Sequence, residues 1–223
     1  MTLFEGRDLL CVRGERRVFA NLDFAVSPGG LLVLTGPNGS GKSSLLRIMA
    51  GLLRPARGAL TWDGVPVGDD PEAQAARLHY LGHLNAVKPV LTAAENLAFW
   101  AALHGQGADE VAAALATFDL TALAEVPVGM LSAGQKRRVA LARLRVVPAE
   151  VWLLDEPTVG LDTASLARLD TAIADHRATG GRVVAATHAA LKAPDAETLD
   201  LAAFTVAPGQ SHAAWGAAWG AGW

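Results

Sequence analysis

The sequence predicts an α/β fold, with antiparallel strands at its start, a parallel-sheet core and a helical lobe inserted in the middle. Three observations carry that prediction. The apolar runs Leu31-Leu32-Val33-Leu34 and Val151-Trp152-Leu153-Leu154, with Arg182-Val183-Val184-Ala185-Ala186, have the character of strands buried on both faces. Before residue 30, short apolar stretches alternate with turn residues. From about residue 85 to 147 the apolar period becomes helical.

Taken in order, Leu9-Leu10-Cys11-Val12, Val18-Phe19 and Phe24-Ala25-Val26 read as short strands, closed by a Pro28-Gly29-Gly30 turn. After the strand at 31–34, Leu45, Leu46, Ile48, Met49, Leu52 and Leu53 recur at helical spacing until Pro55 forbids continuation. Ala59-Leu60-Thr61-Trp62 followed by Asp63-Gly64 predicts a further strand and turn. In the lobe, Thr92 with Glu95 forms a capping box that opens one helix. Ser132 with Gln135 resembles another, and the alanine-rich 108–117 segment lies between. The chain ends in a stretch rich in Trp, Ala and Gly, with Trp215, Trp219 and Trp223 four apart. Two readings of it stand, a weakly docked terminus and a partner-docking stripe.

Composition narrows the function classes. The 223 residues suit one large domain, and 51% of them are apolar. A net charge of only -3 argues against a nucleic-acid binder, which normally carries a basic excess. Cys11 is the only cysteine, so neither an intrachain disulfide nor a cysteine-rich zinc site can form. Glu5, Arg7, Asp8 and Arg13 break the first 19 residues, which do not read as a signal peptide. No stretch approaches the roughly 20 apolar residues of a spanning helix, so any membrane connection is expected through a partner.

Gly36-Pro37-Asn38-Gly39-Ser40-Gly41-Lys42-Ser43, followed by Ser44, satisfies the phosphate-loop pattern after a buried strand and before a helix. Its glycines let backbone N–H groups turn toward phosphate oxygens, and the helix start adds its positive dipole end. Lys42 is expected to reach the terminal phosphates of ATP, and the Ser43 hydroxyl to ligate Mg2+. Asp155, at the end of an apolar strand, is the second expected Mg2+ ligand. Glu156 is placed next to it to polarise a water for attack on the γ-phosphate. The strand ending at Thr187 delivers His188 to the same end of the sheet, where open α/β sheets hold ligands. Glu156, His188 and Lys42 are therefore the expected catalytic residues.

Leu131-Ser132-Ala133-Gly134-Gln135 resembles the ABC signature sequence, with Ala133 standing at one glycine. With the phosphate loop, the acid pair, Leu161-Asp162 at the position of the D-loop, and His188 in order, the resemblance to ABC ATPases spans nearly the whole chain. It implies a P-loop NTPase core (1–84 and 148–210) with an N-terminal antiparallel β subdomain. The inserted α-helical signature lobe would be 85–147, and the tail 211–223. It also implies a head-to-tail dimer with a second ATP-binding subunit, in which Ser132, Gly134 and Gln135 cap ATP held by the partner's phosphate loop and Asp162 lies at the shared site. Integral-membrane permease subunits would complete the complex.

Two positions depart from the general pattern. His83 stands where the Q-loop glutamine is expected, and Arg13 stands where an adenine-stacking aromatic is expected. A guanidinium can also stack on a base; an exposed arginine with no such task is the other reading. His79 and His83 lie four apart, but no carboxylate or cysteine cluster supports a metal site there. Tyr80-Leu81-Gly82-His83, Lys88-Pro89-Val90-Leu91-Thr92-Ala93-Ala94-Glu95-Asn96-Leu97, Cys11-Val12-Arg13, the 131–143 segment and Trp152 resemble the bacterial cytochrome c maturation (haem exporter) ATP-binding proteins. That resemblance implies a peripheral protein on the cytoplasmic face of the inner membrane, engaged in haem export or delivery. Rival readings are an ABC subunit for another substrate and a soluble ATPase of iron–sulfur assembly. Leu91, Leu97, Phe99 and Trp100 are expected either to meet the permease or to pack the lobe's own core.

Overall fold

The computed structural model describes residues 3–189 and 191–205; the 211–223 tail lies outside the described residues. The element order is β1 (Phe4–Arg13), β2 (Arg16–Val26), β3 (Leu31–Thr35), α1 (Lys42–Met49), β4 (Arg57–Trp62), β5 (Val65–Pro66), α2 (Pro71–Arg77), β6 (Leu78–Leu81), α3 (Ala93–Leu103), α4 (Ala108–Thr117), α5 (Ala133–Val146), β7 (Val151–Asp155), α6 (Thr163–Ala178), β8 (Arg182–Ala186) and β9 (Glu197–Asp200). The strands form two sheets. One is antiparallel in the order β2-β1-β4-β5, and the other is parallel in the order β6-β7-β8-β3-β9.

Strand β7 shows why the parallel sheet sits in the middle. Successive side chains alternate between faces, so a strand that is apolar throughout can feed two cores. Trp152 and Leu154 join Leu81, Val183 and Ala185 against the helical lobe and α6. Val151 and Leu153 join Leu32, Leu34, Val184 and Ala186 against α1 and the antiparallel sheet. The sheet is therefore the wall shared by both cores, and its C-terminal edge emerges between them.

The sequence pattern missed some features. The three short strands expected before residue 27 are two long ones, irregular where the register shifts and where Asp8 (φ 50) and Asn21 (φ 53) are left-handed. Helix α1 does not continue to Leu53: it ends at Met49, and Gly51 at φ 72 turns the chain away. Helix α6 and strands β6 and β9 carried no readable signal. Both expected capping boxes are present, at Thr92 with Glu95 and at Ser132 with Gln135.

The structure separates the four lobe residues between the two readings. Leu97 is fully buried and packs the lobe core. Trp100 is half-buried beneath the Arg143 guanidinium, 3.9 Å from its ring centroid, and Leu91 is half-buried. Only Phe99 is open to solvent, at 52%.

Candidate nucleotide site

The phosphate loop is the link between β3 and α1. Gly36, Gly39 and Gly41 all have positive φ (121°, 82° and 108°), a conformation that side chains with a Cβ rarely adopt. Gly41 is additionally hemmed in, because a Cβ there would stand 2.7 Å from both Phe19 Cδ1 and Val18 Cγ1. Strand β2 thus clamps the loop just where the helix begins. Lys42, the first helical residue, is largely buried and curls back over the loop, its Nζ donating to Gly36 O at 2.7 Å and Pro37 O at 3.3 Å. The ammonium is therefore held against the loop's own concave side. The loop's Ser40 is buried as well, with no hydrogen-bond partner for its Oγ among the described residues.

The two residues expected to ligate a cation come from elements far apart in sequence and meet directly. Ser43 Oγ donates to Asp155 Oδ1 at 2.9 Å. The Tyr80 hydroxyl, which the sequence reading did not single out, donates to Asp155 Oδ2 at 3.4 Å. Asp155 is buried at the C-terminal end of β7. A hydroxyl and a carboxylate oxygen side by side at the mouth of a phosphate loop are the hard-oxygen set that suits Mg2+, which takes one or two protein oxygens and fills its octahedron with water and phosphate. The donor chemistry fits that ion.

Glu156 follows in the left-handed region, at φ 48, with its N–H donating to Ala186 O at 2.8 Å. Its Oε1 lies 3.7 Å from His188 Nε2. Parallel pairing of β7 with β8 brings these two strand ends together, Asp155 opposite Ala186. Beneath them Thr158 and Thr187 join their hydroxyls at 3.0 Å, a tie between the two exit loops that was not singled out in advance.

The remaining expected residues lie around this centre. His83 is exposed in the loop that leaves β6, at the same end of the sheet as Asp155, since Leu81 pairs with Leu154. Arg13 is exposed at the end of β1, two residues past the buried Cys11. Burial pushes the Cys11 thiol up, opposed by a hydrogen bond with Ser44 of the loop helix. Ser132 and Gln135 satisfy each other across the start of α5, and Gly134 packs on the main chain at Gly160: a Cβ at 134 would be 3.2 Å from Gly160 O. Asp162 is the N-cap of α6. Its Oδ1 accepts from Ser165 N at 2.7 Å, and hydrogen bonds from the Ser165 side chain first and its backbone second hold the carboxyl below the ordinary range. His79 is buried against Trp100, ring centroids 6.3 Å apart, and burial pulls it down to about 3. A cavity of about 610 Å³ lined by Trp152, Asp175 and His176 opens at the opposite end of the strands, remote from these groups.

The arrangement offers a phosphate cradle with a lysine, a paired hydroxyl and carboxylate for a cation, and a second carboxylate beside an imidazole. That is the equipment for moving a phosphoryl group to water. Among known proteins, the ABC transporter family model matches residues 19–159. A cytochrome c biogenesis ATP-binding export protein, CcmA, of Rhodospirillum rubrum is 58% identical over 95% of this chain and 90% of its own length. The protein of the same name from Paramagnetospirillum magneticum is 58% identical over 92% of this chain and 96% of its own. A putative ABC transporter ATP-binding protein from Pyrococcus furiosus superposes with a TM-score of 0.79 at 25% identity, over 92% of this chain and all of that one. The chain thus belongs to the ABC transporter family as one of its ATPases, and groups there with the cytochrome c biogenesis ATP-binding proteins.

Proposed function

We propose that this chain is the ATP-hydrolysing, energy-coupling subunit of a membrane complex that serves c-type cytochrome biogenesis by haem export or delivery. The observation that carries the pathway is 58% identity over nearly the full length to proteins named cytochrome c biogenesis ATP-binding export protein. The site geometry supports the chemistry. The 36–44 loop receives the phosphates, and Lys42 exchanges its loop carbonyls for β- and γ-phosphate oxygens. Ser43 and Asp155 would hold Mg2+, which supplies charge neutralisation on the phosphates. Glu156 accepts the proton of the attacking water, and His188 orients that water and the γ-phosphate. Arg13, at the open end of β1, offers its guanidinium to the base.

The protein works as a head-to-tail dimer with a second ATP-binding subunit. The Ser132 turn supports this reading: it is exposed, its side chain bonds only within its own cap, and the N–H groups behind it form a ready anion site. A nucleotide on a second copy meets that need, with Gly134, Gln135 and Asp162 lining the joint. No helix among the described residues is long and apolar enough to cross a membrane. The attachment we propose is through permease subunits on the cytoplasmic face of the inner membrane, a reading carried by the likeness to the cytochrome c biogenesis proteins. Exposed Leu84, Val90, Phe99 and Met130 supply an apolar surface on the lobe side. Val90 and Met130 are drawn together by the Gly129 N–H donating to Pro89 O at 2.8 Å.

The test has two arms. Glu156→Gln keeps ATP binding and lowers hydrolysis by roughly 10²–10⁴-fold, the scale of a positioned general base, whereas Lys42→Ala weakens binding itself. Replacing the chromosomal gene with the Glu156→Gln form abolishes holo-cytochromes c and spares haem b proteins. Normal c-type cytochromes in that strain would refute the pathway, and near-normal turnover of the purified variant would refute the role of Glu156.

A further inference from the structure

We infer that Arg137 is a positioning residue for hydrolysis. Its guanidinium fixes the main chain of the acid pair and the loop carrying His83 against the signature helix. The inference rests on the ATPase reading above and deepens it. Arg137 sits one turn into α5 and is buried, at 5% exposure. Its Nη1 donates to Gly82 O at 3.3 Å and to Asn85 Oδ1 at 3.2 Å. Its Nη2 donates to Asp155 O at 3.3 Å and to Glu156 O at 2.7 Å. One planar group thus spans two segments, 82–85 and 155–156, from different strand ends of the sheet.

The consequence falls on Glu156. A non-glycine residue in the left-handed region is strained and persists only where its surroundings over-determine it. Here the Glu156 N–H is taken by Ala186 O on one side and its carbonyl is held by Arg137 on the other. That pair of restraints sets the direction in which the carboxylate leaves the chain toward His188. Arg137 Nε has no hydrogen-bond partner among the described residues. The packing of α5 on the sheet is carried instead by Val139, Ala140, Leu141 and Leu144. In the dimer, the helix that carries Arg137 begins at the Ser132 turn facing the partner's nucleotide. One side chain therefore ties the acid pair of one site to the cap of the other.

The experiment measures steady-state ATPase and nucleotide affinity for wild type, Arg137→Met and Arg137→Lys, with thermal melts to verify folding. Misplacing a reacting group by about 1 Å can cost roughly 10²-fold. Arg137→Met is therefore expected to lose about 10–100-fold in kcat with KM and ATP affinity within about 3-fold of wild type. Arg137→Lys keeps the charge but has one donor nitrogen for two carbonyl pairs, and should fall between. If Arg137→Met does not fold, folded Arg137→Lys decides alone, with at least about a 5-fold loss in kcat expected. Wild-type kcat in either folded variant overturns the inference, as does a loss that tracks weakened ATP binding. No hydrolysis by wild type would overturn the ATPase reading and this inference together; wild-type turnover undiminished in the variants would overturn this inference alone.

Discussion

Replacing Gly41 by alanine tests whether the phosphate loop is held from outside by β2. The residue has φ 108, so a Cβ carries backbone strain of about 1–3 kcal/mol. The same Cβ would lie 2.7 Å from Phe19 Cδ1 and Val18 Cγ1, both on buried side chains that cannot swing aside. Overpacking of that kind costs a further 1–3 kcal/mol or so. A total of roughly 2–6 kcal/mol in a domain of this size lowers Tm by about 4–24 °C. Relief is available only by moving the loop off β2, which dislocates the N–H groups meant for phosphate. Thermal melts with and without ATP and magnesium therefore report both effects, a lower Tm and a lost nucleotide-induced rise. Gly51→Ala is the matched control. Its φ is 72, but nothing lies within 4 Å of the added carbon, so it bears backbone strain alone and keeps the ATP response. Equal Tm values for the two variants, with equal ATP response, would refute the clamp.

Two further outcomes follow from the same geometry. His83 is exposed on a loop anchored to α5, so His83→Ala should depress c-type cytochrome assembly more than basal ATPase, and His83→Gln should be milder because an amide also donates and accepts; equal assembly by wild type and His83→Ala would sink that. His79 has a folded pKa of about 3 against an ordinary value of 6.5, so the unfolded chain takes the proton first: stability is complete above about pH 6.5 and is lost progressively toward pH 3. The loss is about 2 kcal/mol by pH 5, and urea melts of His79→Phe between pH 7 and 5 should show a shallower acid limb than wild type.

The sequence made the nucleotide centre readable because its residues are type-specific and punctuate strong apolar strands. Lys42, Ser43, Asp155, Glu156 and His188 each stand one or two steps past a run that could only be a buried strand, or at the helix that follows one. The topology that brings the runs together does the rest. Where the apolar signal is thin, reading failed. Helix α6 buries only Ser165, Leu169, Ala172 and Ile173 of its length. Strand β9, Glu197–Asp200, lies at the sheet's edge beside β3 and is largely polar. The early strands run on past the apolar stretches, with left-handed Asp8 and Asn21 as irregularities within continuous pairing.

Arg137 escaped for a different reason. Three of its four acceptors are main-chain carbonyls, of Gly82, Asp155 and Glu156. Every residue carries a carbonyl, so no residue type marks the far end of such a bond, and no spacing rule can find it. What the sequence does carry is an anomaly: a second arginine at 143 on the same helix, also buried, on an element whose other inward residues are Val, Ala and Leu. A buried cation must be satisfied by something, and the strand-end carbonyls opposite α5 are the dipoles that converge there. A guanidinium in a helix face that should be apolar is thus itself a pointer to backbone held in place. The backbone it holds here is that of Asp155 and Glu156.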